Sequence, residues 1–184
     1  MNRKKYYRLA DYLLIAMTAA LSIAVKTAVN PMAQLLTGPL FIPGGVAAGG
    51  FYMLFIVLVP AVTGKRGAAL LTALVQAVLV IILGTPGSHG AASLLTYTLP
   101  GLAAEVVWLL SGARAGGPVC CFAAGICANL AGSYAVNLLL FRLPIVPLLL
   151  CLSVAALSGG LGGWAAYALA GRIRRLGIWR KETK

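Results

Sequence analysis

Apolar segments long enough to cross a bilayer follow one another along nearly the whole chain, with few charges between them. Only 10% of the residues are charged and 61% are hydrophobic, whereas soluble domains carry about a quarter charged residues. A spanning helix needs about 20 predominantly apolar residues. The sequence predicts six transmembrane helices, at Leu9–Val29, Val46–Val62, Ala68–Leu83, Ala91–Leu110, Val119–Phe141 and Pro144–Ala170. We therefore expect an all-α membrane protein that forms one six-helix domain over residues 1–184.

Acidic residues are nearly absent, since the chain contains only Asp11, Glu105 and Glu182. Hydrolysis by paired carboxylates and acid-clustered magnesium chemistry both need more carboxylate oxygens than these. The four cysteines lie in apolar segments without Cys-x-x-Cys spacing, which argues against a zinc or iron–sulfur site. We expect no catalytic site, no metal and no cofactor.

Basic residues are distributed asymmetrically about the predicted spans, and the formal net charge is +12. With the N-terminus in the cytoplasm, most lysines and arginines fall on the cytoplasmic side, while Arg142 lies in an external connection and Lys26 near the outer end of the first span. This positive-inside pattern predicts that both termini are cytoplasmic, which requires an even number of spans. Because the clusters flank apolar spans, we interpret them as topology signals and lipid-headgroup contacts rather than as a nucleic-acid-binding surface.

The start of the chain, Met1 to Ala24, imitates a signal peptide with its basic head and apolar run. We interpret it as an uncleaved first span, because the rest of the chain is equally apolar.

The predicted external connections, Asn30 to Gly45 and Gly84 to Gly90, are rich in Gly and Pro and almost uncharged. The first is long enough to fold back as a lid, and irregular backbone at that depth is tolerated only where protein covers it or it lines a wet cavity. We therefore expect a site that opens outward, lined by spans four to six and covered by this first connection.

Three ionisable residues could contact a ligand. Glu105 is the only acid inside a span apart from Asp11, which lies near the start of the first span. Glu105 could anchor a cationic ligand or carry a proton. Alternatively, it could be a structural partner for Arg114, Lys26 or a hydroxyl. Lys26 could contact an anionic group, although we favour snorkelling to the headgroups. His89 is the only histidine and could donate a hydrogen bond at the mouth of a pocket, or could be a solvated loop residue.

Neutral polar residues cluster in the outward halves of the later spans. Asn129, Ser133 and Asn137 recur every four residues and so share one stripe of a helix, with Tyr134 next to them. Tyr97 lies in the corresponding half of span four. We take Tyr97, Tyr134, Asn137 and Asn129 as candidate substrate contacts, with bonding to a neighbouring helix as the alternative.

Small residues form ladders that allow helices to approach closely. Ala16, Ala20 and Ala24 recur at intervals of four on the first span, and Gly159 and Gly163 do so on the sixth. For the glycines we favour internal packing. For the alanine ladder, docking to a partner membrane protein is equally plausible.

These features together resemble the substrate-binding S-components of energy-coupling factor (ECF) vitamin transporters. The order of motifs, as far as Glu105, is similar to the YkoE-like branch, which is associated with thiamine or its hydroxymethylpyrimidine precursor. The motifs are Gly38-Pro39, Lys65-Arg66-Gly67-Ala68-Ala69-Leu70-Leu71, Leu83-Gly84-Thr85-Pro86-Gly87 and Gly101-Leu102-Ala103-Ala104-Glu105.

The resemblance implies an ECF S-component-like bundle in the plasma membrane of a prokaryote. It implies that a vitamin binds from outside and is released inward when the chain associates with a membrane coupling subunit and two ATPase subunits. The ladder of Ala16, Ala20 and Ala24 would then dock the coupling subunit. Ala73 stands where that branch has an acid, so a neutral pyrimidine or another vitamin fits the local charge no worse than thiamine.

Two other functions are compatible with the residues. A self-sufficient small transporter or channel would move its solute without companion subunits. An intramembrane enzyme would have to act through Glu105 and His89, although a catalytic role needs convergent reactive groups that the spans hardly supply.

Overall fold

The computed structural model describes residues 6–40, 43–84, 90–112 and 115–177, and this part of the chain is helical without strands. Seven α-helices are present within these ranges. They are α1 (Leu9–Thr37), α2 (Gly44–Ala47), α3 (Gly49–Thr63), α4 (Ala68–Leu83), α5 (Ser93–Leu110), α6 (Pro118–Val136) and α7 (Ile145–Arg175). Short 3₁₀ turns at Gly38–Leu40 and Gly90–Ala92 and a π-helical turn at Asn137–Phe141 complete the path.

Each predicted span overlaps a helix of the structure, and the expected all-helical architecture is confirmed for the described residues. Helices over Leu9–Thr37, Gly90–Leu110, Pro118–Phe141 and Ile145–Arg175 are long and apolar enough to cross a membrane. α3 and α4 are shorter, with 15 and 16 residues. The number of crossings and the side on which the termini lie therefore stay predictions.

The short α3 lies in the middle of the bundle. Twelve of its 15 residues are buried, and it packs against α1, α4, α6 and α7. At 1.5 Å per residue it spans roughly 22 Å, less than the hydrocarbon core of about 30 Å. Because protein surrounds it, α3 does not need to match the thickness of the lipid.

The expectation that Asn30-Pro31 ends the first span is wrong, because α1 continues through Pro31 to Thr37. A proline removes one main-chain donor, but membrane helices tolerate it where neighbouring groups satisfy the freed carbonyl. The following segment then turns back over the end of α1. The Gly44 N–H donates to Oε1 of Gln34 at 3.3 Å. A Cβ on Gly44 would lie only 2.6 Å from the main-chain nitrogen of Gln34, so a side chain at residue 44 would not fit this approach.

Glycines bring α7 into close contact with its neighbours. A Cβ on Gly125 would overlap the carbonyl oxygen of Gly159, and one on Gly163 would overlap that of Cys121. On the other side, a Cβ on Gly162 would overlap the Gly50 carbonyl oxygen. α7 is therefore held between α6 and α3, and the ladder of Gly159 and Gly163 serves internal packing.

One end of the bundle is held together by charged groups. Lys65, between α3 and α4, forms an ion pair with Asp11 near the start of α1 and also donates to the carbonyl oxygen of Tyr6. The guanidinium of Arg174, at the end of α7, donates to the carbonyl oxygens of Ala61 and Val62 in α3. We call this the basic end of the bundle.

The tyrosine that precedes α1 belongs to the same end. The Tyr7 hydroxyl donates to the carbonyl oxygen of Arg66 at 2.7 Å. Burial, together with the charges of Glu105 and Asp11, raises the pKa of Tyr7 to about 12. The hydroxyl therefore remains a donor at neutral pH and ties the start of the chain to the α3–α4 connection.

Candidate substrate-binding site

A cavity of about 240 Å³ opens at the end of the bundle opposite the basic end. It lies between the C-terminal part of α1, the segment that turns back over it, and helices α3, α4, α5 and α6. Its polar lining consists of Ser22, Lys26, Asn30, Gln34, Tyr52, Gln76, Thr96, Tyr97, Asn129 and Ser133. Its apolar lining consists of Ile23, Pro43, Gly45, Val46, Met53, Ile56, Pro100, Gly132, Val136 and Phe141.

Four buried polar atoms in this lining have no hydrogen-bond partner among the described residues. They are Oδ1 of Asn30, the hydroxyl of Tyr52, Nε2 of Gln76 and Oγ1 of Thr96. Each comes from a different helix, α1, α3, α4 and α5 in that order. Buried polar groups in proteins are almost always hydrogen-bonded, so their convergence on one cavity indicates a site for a polar ligand.

Lys26 points into the cavity and not towards the lipid headgroups, so the snorkelling interpretation is wrong. Its Nζ donates to the hydroxyl of Tyr97. It also lies 4.1 Å from the ring centroid of Tyr97 and 5.6 Å from that of Tyr52. The two tyrosines thus hold the ammonium group through a hydrogen bond and cation–π contacts.

Of the candidate substrate contacts, Tyr97 and Asn129 line the cavity. Nδ2 of Asn129 donates to the carbonyl oxygen of Ala155 at 2.8 Å and to that of Val46 at 3.3 Å. This amide therefore joins α6 to α7 and to α2 at the wall of the cavity. Gly49 must be a glycine for this contact, since a Cβ there would overlap the Asn129 amide.

The structure does not bring Tyr134 and Asn137 to the cavity. Tyr134 is 52% exposed on the outer surface of α6. Oδ1 of Asn137 accepts a hydrogen bond from the Leu143 N–H at 2.9 Å and so stabilises the turn after α6. The stripe that begins with Asn129 and Ser133 therefore does not extend to Asn137 as a cavity lining, and α6 passes into a π-helical turn from residue 137 onwards.

The remaining two candidate contacts are His89 and Glu105. His89 lies outside the described residues. Glu105 does not line the cavity but lies at the N-terminus of α4, where Oε1 accepts from the Gly67 N–H and Oε2 from the Ala69 N–H at 3.3 Å. The free N–H groups at a helix N-terminus bind a carboxylate well, so a structural role accounts for the position of Glu105. Its partners are main-chain N–H groups and not the expected Lys26 or hydroxyl, and Arg114 lies outside the described residues.

Replacing Glu105 with Gln should destabilise the bundle without changing substrate affinity. The amide keeps one acceptor but loses the charge and the second acceptor, for an expected loss of about 1–2 kcal/mol in the free energy of unfolding. Unfolding in detergent and substrate titration on the same preparation measure the two effects. Loss of binding at unchanged stability would instead support the role of ligand anchor.

The predicted lining by spans four to six is only partly matched by the cavity. α5 and α6 contribute, but the described lining contains no residue of α7 and instead includes much of α1 and α3. The close packing of α7 against α6 and α3 keeps it away from the cavity. Sequence reasoning missed Asn30, Gln34 and Tyr52 as lining residues. The one signal was for Asn30, which precedes Pro31, because helices interrupted by proline often line cavities in membrane proteins.

The alanine ladder lies on the outside of the bundle. Ala16, Ala20 and Ala24 are all exposed along α1. Large apolar residues beside them, Leu13, Met17 and Leu21, are 53–70% exposed. This face contacts no other described element, which leaves it open to lipid or to a partner.

Comparisons with known proteins agree on a transport family. Residues 10–131 match the family described as "ABC-type cobalt transport system, permease component". The fold matches a solved structure titled "Crystal structure of an S-component of ECF transporter", with a TM-score of 0.81 and 20% identity over 97% of this chain and 91% of that one. No match is found among curated proteins. The chain is thus a multi-pass membrane protein with an ECF S-component-like fold, and it belongs to the family of permease components of ABC-type cobalt transport systems.

Proposed function

We propose that this chain is the substrate-binding S-component of an ECF importer, without enzymatic activity of its own, and that it binds a small organic vitamin. The main observation in support of this function is the cavity, in which four unpartnered polar atoms from four helices converge. A matching ligand would supply the missing hydrogen bonds. The family and the fold support the same function.

The chemistry of the lining favours an organic substrate over a bare metal ion. None of the described lining residues is Asp, Glu, His or Cys, which are the side chains that transition metals prefer. Across the described ranges, no group of three or more such residues could hold a metal ion. Lys26 would also repel a divalent cation. Amides, hydroxyls and tyrosine rings instead fit a compact polar molecule.

Within the vitamins, the resemblance to the YkoE-like branch suggests thiamine or its hydroxymethylpyrimidine precursor. Thiamine is a cation, and the described lining offers it Lys26 but no carboxylate. The neutral pyrimidine can use the unpartnered amides and hydroxyls without charge repulsion. Of these two molecules, the neutral pyrimidine is therefore disfavoured less by the charge of Lys26.

The distribution of lysines and arginines supports one orientation of the chain in the membrane. We place the basic end and both termini in the cytoplasm of a prokaryotic cell, by the positive-inside rule. The cavity then faces outward and receives substrate from outside. The membrane coupling subunit and two ATPase subunits would associate with the exposed face of Ala16, Ala20 and Ala24 and drive release inward.

Two threonines of α5 provide a matched test of the site. Both hydroxyls are buried without a partner among the described residues, but Thr96 lines the cavity and Thr98 does not. We expect Thr96→Val to weaken substrate binding about 3- to 10-fold, the value of one neutral hydrogen bond. Thr98→Val should leave the affinity unchanged.

The substrate for this test is identified first from the small molecules that co-purify, by mass spectrometry, and then by calorimetry with a vitamin panel that includes thiamine and hydroxymethylpyrimidine. Equal effects of the two substitutions would contradict the assigned cavity. Failure to bind any vitamin would contradict the proposed function. Flux into liposomes that contain this protein alone would support a self-sufficient transporter instead.

A further inference from the structure

The lining of the cavity carries a single charge among its described residues, the ammonium group of Lys26. An ammonium group has three hydrogen-bond donors and no acceptor. One donor is used by the hydroxyl of Tyr97. The faces of Tyr97 and Tyr52, 4.1 Å and 5.6 Å away, supply the other attractive contacts that the structure records. The group therefore retains donors for a ligand.

A cation at this depth is costly unless an anion neutralises it. Neither of the two acids in the described part of the chain provides one. Asp11 is paired with Lys65, Glu105 binds the N-terminus of α4, and both belong to the basic end of the bundle. Glu182 lies outside the described residues.

The unpartnered atoms around Lys26 are suited to an acceptor-rich ligand. Nε2 of Gln76 is a donor, and the hydroxyls of Tyr52 and Thr96 can donate. Only Oδ1 of Asn30 is restricted to accepting. A carboxylate presents two acceptor oxygens and one negative charge, which matches one ammonium group better than a doubly charged phosphate does.

We propose that the substrate is a compact monocarboxylate and that its carboxylate forms an ion pair with Lys26. This inference rests on the proposed function and deepens it by naming the class of substrate. On binding, the carboxylate takes the donors that Tyr97 leaves free, and the rest of the molecule fills the cavity of about 240 Å³. Lys26 thereby selects acids over neutral and cationic relatives of the same size.

Matched pairs of acids and uncharged analogues test the selection. The probes are nicotinate with nicotinamide, pantothenate with pantothenol, and biotin with its primary amide, measured by calorimetry on the purified full chain. Thiamine and hydroxymethylpyrimidine are titrated beside them. We expect one acid to bind at least about tenfold more tightly than its uncharged partner, in line with a charge-assisted hydrogen bond.

Substitution of the lysine then identifies the group responsible. Lys26→Met should weaken binding of that acid about 10- to 100-fold while leaving its uncharged partner within about threefold, and Lys26→Arg should keep the preference in part. Arg142→Asn is the control, because it removes a charge at the same end of the bundle, outside the cavity. Arg142 has a φ of 50°, a conformation that Asn tolerates.

The outcomes separate this inference from the proposed function. Binding of hydroxymethylpyrimidine or thiamine, with no acid bound more tightly than its analogue, overturns the inference and leaves the proposed function standing. Binding of no probe overturns both. If Lys26→Met is not recovered folded, the acid and analogue affinities of the unchanged chain decide the question by themselves.

Discussion

Ala20→Trp is expected to weaken association with an ECF module strongly while leaving substrate binding unchanged. Ala20 is exposed in the middle of the alanine ladder on α1. Small residues allow helix backbones to approach closely within a membrane, and an indole at that point would hold the partner helix away. Overpacking of a contact costs about 1–3 kcal/mol, so we expect capture of the module to fall about 10- to 100-fold.

The measurement is co-purification with a co-expressed coupling subunit and its two ATPases, followed by uptake of the identified substrate into proteoliposomes. Leu157→Trp is the control, because Leu157 is 71% exposed on α7, away from the ladder. Both variants should keep the substrate affinity of the unchanged chain. Full association of Ala20→Trp would show that the module docks elsewhere.

Lys65→Met is expected to destabilise the fold by about 3–5 kcal/mol, the usual result of leaving one member of a buried ion pair without its partner. Asp11 is 2% exposed and Lys65 is 8% exposed. Asp11 also accepts a hydrogen bond from the Arg8 N–H at 2.6 Å. The pair joins the start of α1 to the α3–α4 connection, so its loss should loosen the whole basic end.

The adjacent residue supplies the control. Arg66 is exposed, and Arg66→Met should change the free energy of unfolding by less than about 0.5 kcal/mol. The double variant Asp11→Asn/Lys65→Met should recover part of the loss, because the asparagine leaves no uncompensated charge. Unfolding in mixed detergent micelles measures all three variants. Equal effects of Lys65→Met and Arg66→Met would show that the ion pair does not contribute.

Helix positions were the most predictable part of this protein. The third predicted span, Ala68–Leu83, has the bounds of α4. Gly67 and Gly84 flank it with φ values of 82° and 55°, a conformation that glycine adopts at low cost. The end of α1 was not predictable from the local sequence, because Asn30-Pro31 is a typical helix end. In the structure α1 continues through Pro31, and the fold-back segment and the cavity lie against this extension.

The binding site was less predictable, since a polar residue in a span can face a ligand, a helix or the lipid. The stripe of Asn129, Ser133 and Asn137 was visible in the sequence, yet Asn137 accepts a hydrogen bond from the Leu143 N–H and does not line the cavity. Lys26 and Tyr97 are 71 residues apart, so no local pattern could show that they meet. The same holds for Glu105 and the N-terminus of α4.

The sequence by itself determined that the chain is a helical membrane protein with a strongly basic end and a nearly uncharged end. Long apolar segments and clustered lysines and arginines impose this on any path the chain takes. Only the tertiary structure decided which polar groups meet. Helix rotation and register depend on close packing, as at Gly50, Gly125, Gly159 and Gly163. In the resulting bundle Lys26 and Gln76 face the cavity and Tyr134 faces outward.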